Sequence, residues 1–305
     1  MRKRLPFIAS VAALLFAGFG CGNAPAAPTS ANLTIMASFY PLAHFASKVA
    51  GDLASVTNVT PAGAEPHDYE PTPRQVAAAH EADLFVYNGG GMDNWAARLA
   101  PSLDGSRTAT LEISPAVDAK LPAPEGEQEL AFDPHFWLDP VIAQKEVEAI
   151  RDKLIAIDAA HAETYRANAA AYVAELAQLD AEFKGGLASC RLHTAVTSHA
   201  AFAYLGARYG FTQLSIAGLS PEEEPSAGAM ASLAAAAKAK DVHYVFFETL
   251  VNPQLSKTIA AEIGAQTLVF NPLEGLTDGD IAAGRDYLSV QRENLANLRT
   301  ALECQ

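Results

Sequence analysis

A long helical pattern between Pro140 and about Lys184 is the feature that most constrains how this 305-residue chain can fold. Apolar residues recur there at helical spacing, and no strand pattern separates them, although a break near Asp158 fits the sequence. These apolar residues are Val147, Ile150, Leu154 and Ile157, followed by Tyr172, Leu176, Leu179 and Phe183. On either side of this stretch, short apolar strands alternate with helices, which is typical of parallel, layered sheets. We therefore expect an α/β fold with two lobes, each with a mostly parallel sheet flanked by helices, joined by a long spine helix.

The predicted boundaries divide the chain into five segments. Residues 1–20 combine a basic start with an apolar run too short to span a bilayer comfortably, which is typical of a signal peptide. Residues 21–31 form a tether rich in Ala, Pro, Ser and Thr. The N-terminal lobe is predicted at 32–139, the linking helix at 140–185 and the C-terminal lobe at 186–305.

The chain contains three cysteines. Cys21 directly follows the apolar run and precedes the tether, which favours lipidation of this residue; ordinary cleavage near Ala27 is the alternative. Cys190 and Cys304 then remain as an even pair in an oxidising compartment, which favours a disulfide over two separate free thiols. Neither of them lies in a Cys-x-x-Cys pattern, so a zinc site built from thiolates is not expected.

The charge of the chain argues against two kinds of partner. The formal net charge is −14, and removal of residues 1–20 would take away three positive charges and no negative ones. Such an acidic protein is a poor partner for nucleic acid or for an anionic membrane surface. Hydrophobic residues make up 50% of the chain, so a sizeable core can form.

Three segments place a histidine in a turn predicted to lie near a strand end. They are centred on His67, His135 and His199, and they lie so far apart in sequence that only the fold can bring them together. In α/β sheets, ligands bind at the carboxyl ends of strands. Three neutral imidazoles that converge on one point form a site for a borderline-soft divalent ion, with zinc as the first candidate.

Several motifs occur in an order that resembles a known family. They are Pro-His-Asp-Tyr-Glu-Pro at 66–71, Asp-Pro-His-Phe-Trp-Leu-Asp-Pro at 133–140, Ser-His-Ala-Ala-Phe-Ala-Tyr-Leu at 198–205, Phe-Phe-Glu at 246–248 and Asn-Pro-Leu-Glu-Gly-Leu-Thr at 271–277. The chain resembles the cluster A-I solute-binding proteins of ABC importers, which serve zinc and manganese. The resemblance implies two α/β lobes, a metal ion in the cleft between them and delivery of this ion to a membrane permease.

The resemblance also implies a ligand set. Its first three members are His67, His135 and His199, and a histidine at the third position is typical of zinc rather than manganese binders. Many members have Asp at the fourth position, where this chain has Asn271, a poor ligand for zinc. We expect Glu274, in the same turn, to be the fourth ligand. Glu248 is the competing candidate, or it holds a histidine in the right tautomer.

We therefore expect an exported, monomeric protein, periplasmic or on the cell surface, that captures Zn²⁺ and is not an enzyme. A manganese- or iron-binding member of the same family is the first alternative. A secreted zinc hydrolase is the second, since three ligands and an open water form a catalytic zinc site. The chain has no His-Glu-x-x-His sequence, which argues against a metalloprotease of that type.

Overall fold

Two parallel sheets dominate the fold. The structure is a computed structural model that describes residues 32–118, 121–123 and 130–305. The strands of the first sheet are β1 (Leu33–Ala37), β2 (Ala54–Asn58), β3 (Leu84–Tyr87) and β4 (Ala109–Glu112). They run parallel in the order β2–β1–β3–β4. The helices of this N-terminal lobe are α1 (Tyr40–Ala50), α2 (Pro73–Glu81), α3 (Asn94–Leu99) and α4 (Ser114–Val117).

The spine consists of two helices, α5 (Pro140–Ile157) and α6 (Ala162–Gly186). The break between them lies at Asp158, whose φ of −139° and ψ of 72° are not helical. The Asp158 carboxylate accepts hydrogen bonds from His161 Nδ1 at 2.6 Å and from the Tyr165 hydroxyl at 2.7 Å. These local side-chain bonds stabilise the turn between the two helices.

The second sheet repeats the topology of the first. Its strands are β5 (Thr194–Thr197), β6 (Thr212–Ser215), β7 (Tyr244–Phe247) and β8 (Gln266–Val269). They run parallel in the order β6–β5–β7–β8. The helices of this C-terminal lobe are α7 (Ala203–Tyr209), α8 (Ala227–Ala239), α9 (Gln254–Ile263), α10 (Asp278–Ala282) and α11 (Tyr287–Ala301).

Helix caps explain several boundaries. Thr72 and Gln75 form a capping box at the start of α2, and Asp139 caps α5 ahead of Pro140. The short helix α10 was not predicted, although Thr277 and Asp280 form a capping box there. This Thr-x-x-Asp spacing is the signal from which the helix could have been predicted.

The largest hydrophobic cluster extends through both lobes and the spine. Two smaller clusters lie elsewhere, one with residues of the N-terminal lobe and one with residues of the C-terminal lobe. Among the described residues, no helix combines the length and the apolar character needed to cross a bilayer. The predicted fold class, two parallel sheets with flanking helices and a long helical spine, is confirmed.

The segment 133–139 connects the two lobes. Tyr204, on α7, donates a hydrogen bond to the Asp133 carbonyl at 2.9 Å. Tyr287, on α11, donates to the Trp137 carbonyl at 2.5 Å, and Trp137 Nε1 donates to the Pro272 carbonyl at 2.8 Å. Asn88, directly after β3, also donates to the Pro134 carbonyl at 3.0 Å, so this segment is held by residues of both lobes.

Candidate metal centre

The candidate donors come from four different connections. His67 lies in the loop between β2 and α2, and His135 lies just before α5. His199 is two residues beyond β5, and Glu274 lies between β8 and α10. The four side chains converge, and one donor atom from each lies within 4.8 Å of the others. In the described part of the chain, this is the group of His, Cys, Asp and Glu residues that could hold a metal ion.

The donor atoms are close enough to share one ion. Glu274 Oε1 lies 3.4, 3.4 and 3.0 Å from the Nε2 atoms of His67, His135 and His199, respectively. His135 Nε2 lies 3.2 Å from His67 Nε2 and 3.4 Å from His199 Nε2. A tetrahedral zinc site with bonds of about 2.0–2.1 Å has edges of about 3.3 Å between its ligand atoms. These five separations therefore match the edges of a zinc tetrahedron.

Carboxylates orient two of the three imidazoles. Asp133 Oδ1 accepts hydrogen bonds from His135 Nδ1 at 2.8 Å and from the His135 main-chain nitrogen at 2.9 Å. Glu248 Oε1 accepts from His199 Nδ1 at 2.8 Å and from the His199 main-chain nitrogen at 3.2 Å. A proton held on Nδ1 directs the lone pair of Nε2 toward the centre, which is the usual arrangement around a metal-binding histidine.

His67 is supported differently. Its main-chain nitrogen donates to both carboxylate oxygens of Glu65, at 3.0 and 3.2 Å. The side chain of His67 is 7% exposed, whereas those of His135 and His199 are completely buried. A cavity of about 230 Å³, lined in part by Asp68 and Glu223, reaches His67 from outside. Of the four candidate donors, His67 is therefore the one that borders this cavity.

Burial and charge act in opposite directions on the imidazoles. Burial lowers the pKa of His67 below its usual value despite the nearby Glu274 carboxylate. Burial also disfavours charge on His135, but hydrogen bonds to Asp133 and Glu274 outweigh it and raise the pKa of His135. For His199, Glu248 and Glu274 together overcome burial and raise its pKa well above the usual value.

The same surroundings shift the pKa values of two acidic side chains, Glu274 and Glu65. Burial disfavours the charged form of Glu274, but the charge of His199 and hydrogen bonds from the three imidazoles hold its pKa well below the usual value. Burial, followed by repulsion from Glu274, raises the pKa of Glu65 to about 9. The centre therefore contains one carboxylate and three imidazoles, and a metal ion displaces protons from His135 and His199, the two imidazoles whose pKa is raised.

The two alternative fourth donors lie outside the group of four. Glu248 is 3% exposed and uses its carboxylate to hold His199. The side chain of Asn271 is occupied by Leu273 and Thr249, as described below. Cys190 and Cys304 form a disulfide, whereas Cys21 lies outside the described residues.

Sequence reasoning missed two supporting residues. Asp133 was not assigned a role, although its position two residues before His135 allows its carboxylate to reach both the ring and the main chain. The other is Trp137, whose indole nitrogen donates to the Pro272 carbonyl. The bond made by Trp137 could not be predicted from spacing, because its partner lies 135 residues away.

Comparison with known proteins identifies the family. Residues 35–301 match the family described as ZnuA, the periplasmic component A of a zinc-uptake complex. The chain belongs to this family. The resemblance predicted from the motifs is therefore confirmed.

Relatives and a solved structure agree with this assignment. The chain is 40% identical over 311 residues to the zinc-binding lipoprotein AdcA of Streptococcus pneumoniae, a match that covers 98% of this chain but 61% of that protein. It is 35% identical over 316 residues to the high-affinity zinc uptake system protein ZnuA of Bacillus subtilis, with 99% of both chains covered. The crystal structure of the Zn(II)-bound ZnuA-like domain of S. pneumoniae AdcA matches with a TM-score of 0.78 and 42% identity, over 90% of this chain and 100% of that domain.

Proposed function

We propose that this protein is the metal-capturing component of an ABC importer and that Zn²⁺ is its cargo. The proposed ligands are His67, His135, His199 and Glu274. The observation that carries the proposal is the convergence of their four donor atoms within 4.8 Å of one another. Three imidazoles and one carboxylate suit zinc, whereas manganese prefers a larger number of oxygen ligands.

The names of related proteins support the same cargo. The relatives in S. pneumoniae and B. subtilis are named for zinc binding and zinc uptake, and the solved domain of AdcA holds Zn(II). Because the chain spans about three fifths of the length of the pneumococcal relative, its activity is inferred here from the site and the family together. The hydrolase alternative loses support because a fourth protein ligand takes the position that a catalytic water would need.

We further propose where the protein works. Residues 1–20 direct export, Cys21 carries a lipid anchor and residues 21–31 tether the folded part to a membrane. The loaded protein, a monomer, then docks on a membrane permease and releases the ion. Its net charge of −14 makes nucleic acid an unsuitable partner. The intact mass of protein extracted from membranes tests the anchor, and a chain that begins after Ala27 would contradict it.

A competition titration tests the proposed cargo. The metal-stripped protein is titrated with zinc and with manganese against a chelator of known affinity, alongside His199→Ala and the matched control His243→Ala. His243 is exposed and lies against Asp241 and Glu303, outside the proposed site.

We expect one tightly bound zinc ion per chain, weak manganese binding and a loss of more than about 100-fold in zinc affinity for His199→Ala, because removal of a ligand exceeds the usual effect of a supporting residue. The control should bind zinc as the unaltered protein does. A preference for manganese, or zinc binding that is indifferent to His199, would contradict the proposal.

A further inference from the structure

The turn that carries Glu274 is held in an unfavourable backbone conformation. Residues 271–276, here called the Glu274 turn, connect β8 to α10 and are buried. Leu273, directly before Glu274, has a φ of +57°, in the left-handed region that residues with a side chain rarely adopt. The conformation persists only if the surrounding structure holds it, so the position of the Glu274 carboxylate depends on the contacts of this turn.

Asn294, on α11, forms two hydrogen bonds with the main chain of Asn271, the first residue of the turn. Its side-chain oxygen accepts a hydrogen bond from the Asn271 main-chain nitrogen at 2.9 Å. Its side-chain nitrogen donates to the Asn271 carbonyl at 2.7 Å. Asn294 is 1% exposed, so water does not compete strongly for these bonds. A side-chain amide that pairs with both main-chain groups of one residue fixes the position and the orientation of that residue.

The side chain of Asn271 in turn forms a hydrogen bond with Leu273, the residue before Glu274. Its side-chain oxygen accepts from the Leu273 main-chain nitrogen at 2.7 Å, which closes the turn. Its side-chain nitrogen donates to the Thr249 hydroxyl at 3.0 Å. Thr249 directly follows Glu248, which holds His199. The amide of Asn271 therefore ties the Glu274 turn to the end of β7, next to the support of a second proposed ligand.

We propose that Asn294 and Asn271 are positioning residues of the metal site. Together they form an amide clamp that keeps the Glu274 carboxylate beside the three imidazoles before the ion arrives. This inference rests on the proposed function of Glu274 as a zinc ligand. A ligand held in place does not have to be ordered when the metal binds, so the clamp raises affinity without touching the ion.

A double-mutant cycle tests whether Asn294 acts through Glu274. Zinc affinity is measured for the unaltered protein, Asn294→Ala, Glu274→Ala and the double variant. Loss of an outer support typically costs about 10–100-fold in metal affinity, and we expect this loss for Asn294→Ala. In the Glu274→Ala background the same substitution should cost no further affinity, because the group that it positions is already absent.

The cycle separates the two ways in which the inference can fail. If Glu274→Ala binds zinc as tightly as the unaltered protein, the ligand role of Glu274 is wrong and the clamp has no group to position. If Glu274→Ala weakens binding but Asn294→Ala does not, or if Asn294→Ala costs the same in both backgrounds, the ligand role stands and the clamp is overturned.

Asn297→Ala is the matched control. Asn297 lies about one turn further along α11, and its side chain donates to the Val269 carbonyl at 2.9 Å rather than to the Glu274 turn. We expect this variant to lose stability while its zinc affinity stays within about twofold of the unaltered protein, because the proposed ligands keep their supports. An equal loss of affinity in Asn297→Ala and Asn294→Ala would overturn the clamp, because it would show a general effect of weakening α11.

Cobalt(II) provides a readout that a merely structural role would not change. Its visible absorption is intense in a tetrahedral site and weak at higher coordination numbers. Asn294→Asp, which keeps the acceptor for Asn271 but loses the donor, serves as the second variant if Asn294→Ala does not fold. We expect weaker cobalt bands in either variant, as water replaces a displaced carboxylate. An unchanged spectrum together with unchanged affinity would overturn the clamp.

Discussion

The two lobes have sheets of the same strand order but carry the proposed ligands in different ways. In the C-terminal lobe, His199 lies two residues beyond β5, and Glu274 lies five residues beyond β8. In the N-terminal lobe, His67 follows the end of β2 by nine residues, and His135 follows the end of β4 by 23. Short connections inherit the rigidity of the sheet, whereas long ones need other contacts to hold them.

The segment that carries His135 is bonded to both lobes. The segment 133–139 is bonded to Tyr204 on α7, to Tyr287 on α11 and to the Pro272 carbonyl. Asn88, just beyond β3, also donates to the Pro134 carbonyl at 3.0 Å, so His135 is tied to both lobes, whereas His199 and Glu274 lie in the C-terminal lobe.

The largest expected effect comes from weakening the C-terminal lobe alone. The disulfide between Cys190 and Cys304 closes a loop of 114 residues that includes all of β5–β8. We expect Cys190→Ser with Cys304→Ser to lower the free energy of unfolding by about 2–5 kcal/mol, because the unfolded chain gains freedom. Urea denaturation of the metal-free protein measures this effect.

The zinc affinity of the same double variant should change by less than about twofold, since Cys190 precedes β5 whereas the ligands follow strand ends and keep their supports. The control is the unaltered protein in reducing buffer, in which the disulfide is broken without any substitution. A large loss of affinity without loss of fold would mean that the site, and not only the stability of the lobe, depends on the disulfide.

The supports of His135 and His67 can be compared directly. Asp133 bonds both the ring and the main chain of His135, whereas Glu65 bonds only the main chain of His67 in the contacts described above. We expect Asp133→Asn to lower zinc affinity by about 10–100-fold, the usual effect of losing the partner of a metal-binding imidazole. Glu65→Gln should have a smaller effect in the same competition titration. Equal losses would show that the two histidines are held equally firmly.

Acid should loosen the contact between α1, α6 and α11. His44, on α1, has its Nε2 2.9 Å from the Tyr172 hydroxyl and stacks on the ring of Tyr287. Burial, aided by Lys48 and opposed by Asp286, lowers the pKa of His44 to about 4 from its usual 6.5. Between these values the unfolded chain binds more protons than the folded one, so stability rises with pH in this window and falls on acidification.

At pH 5 this effect amounts to about 2 kcal/mol of unfolding free energy. Urea denaturation of the metal-free protein at pH 7.5 and pH 5 measures it, with His44→Gln as the comparison because this side chain does not titrate. The fall in stability should be smaller in His44→Gln. The same fall in both proteins would assign the acid sensitivity to other groups.

Much of the architecture could be predicted from local patterns. Short apolar strands alternating with helices predicted two mostly parallel sheets, and helical spacing predicted the spine. Short polar helices were harder, and α10 was found only in the structure, because five residues carry little periodicity and its capping box is the one local signal of its start. The candidate histidines were recognised because each lies in a motif that can be read without knowing the fold.

The sequence favoured Glu274 as the fourth donor, but only the tertiary structure shows which of the three candidates lies beside the imidazoles. Glu248, Asn271 and Glu274 all lie near strand ends, and their spacing in sequence does not distinguish which side chain points to the imidazoles. Glu274 lies with the imidazoles in a turn that includes the positive φ of Leu273 and two bonds from Asn294, 23 residues away from Asn271. The sequence alone showed which candidate donors the chain contains, because local periodicity and turn chemistry act over a few residues. Only the fold decided which of them meet, because convergence depends on contacts between segments far apart in the chain.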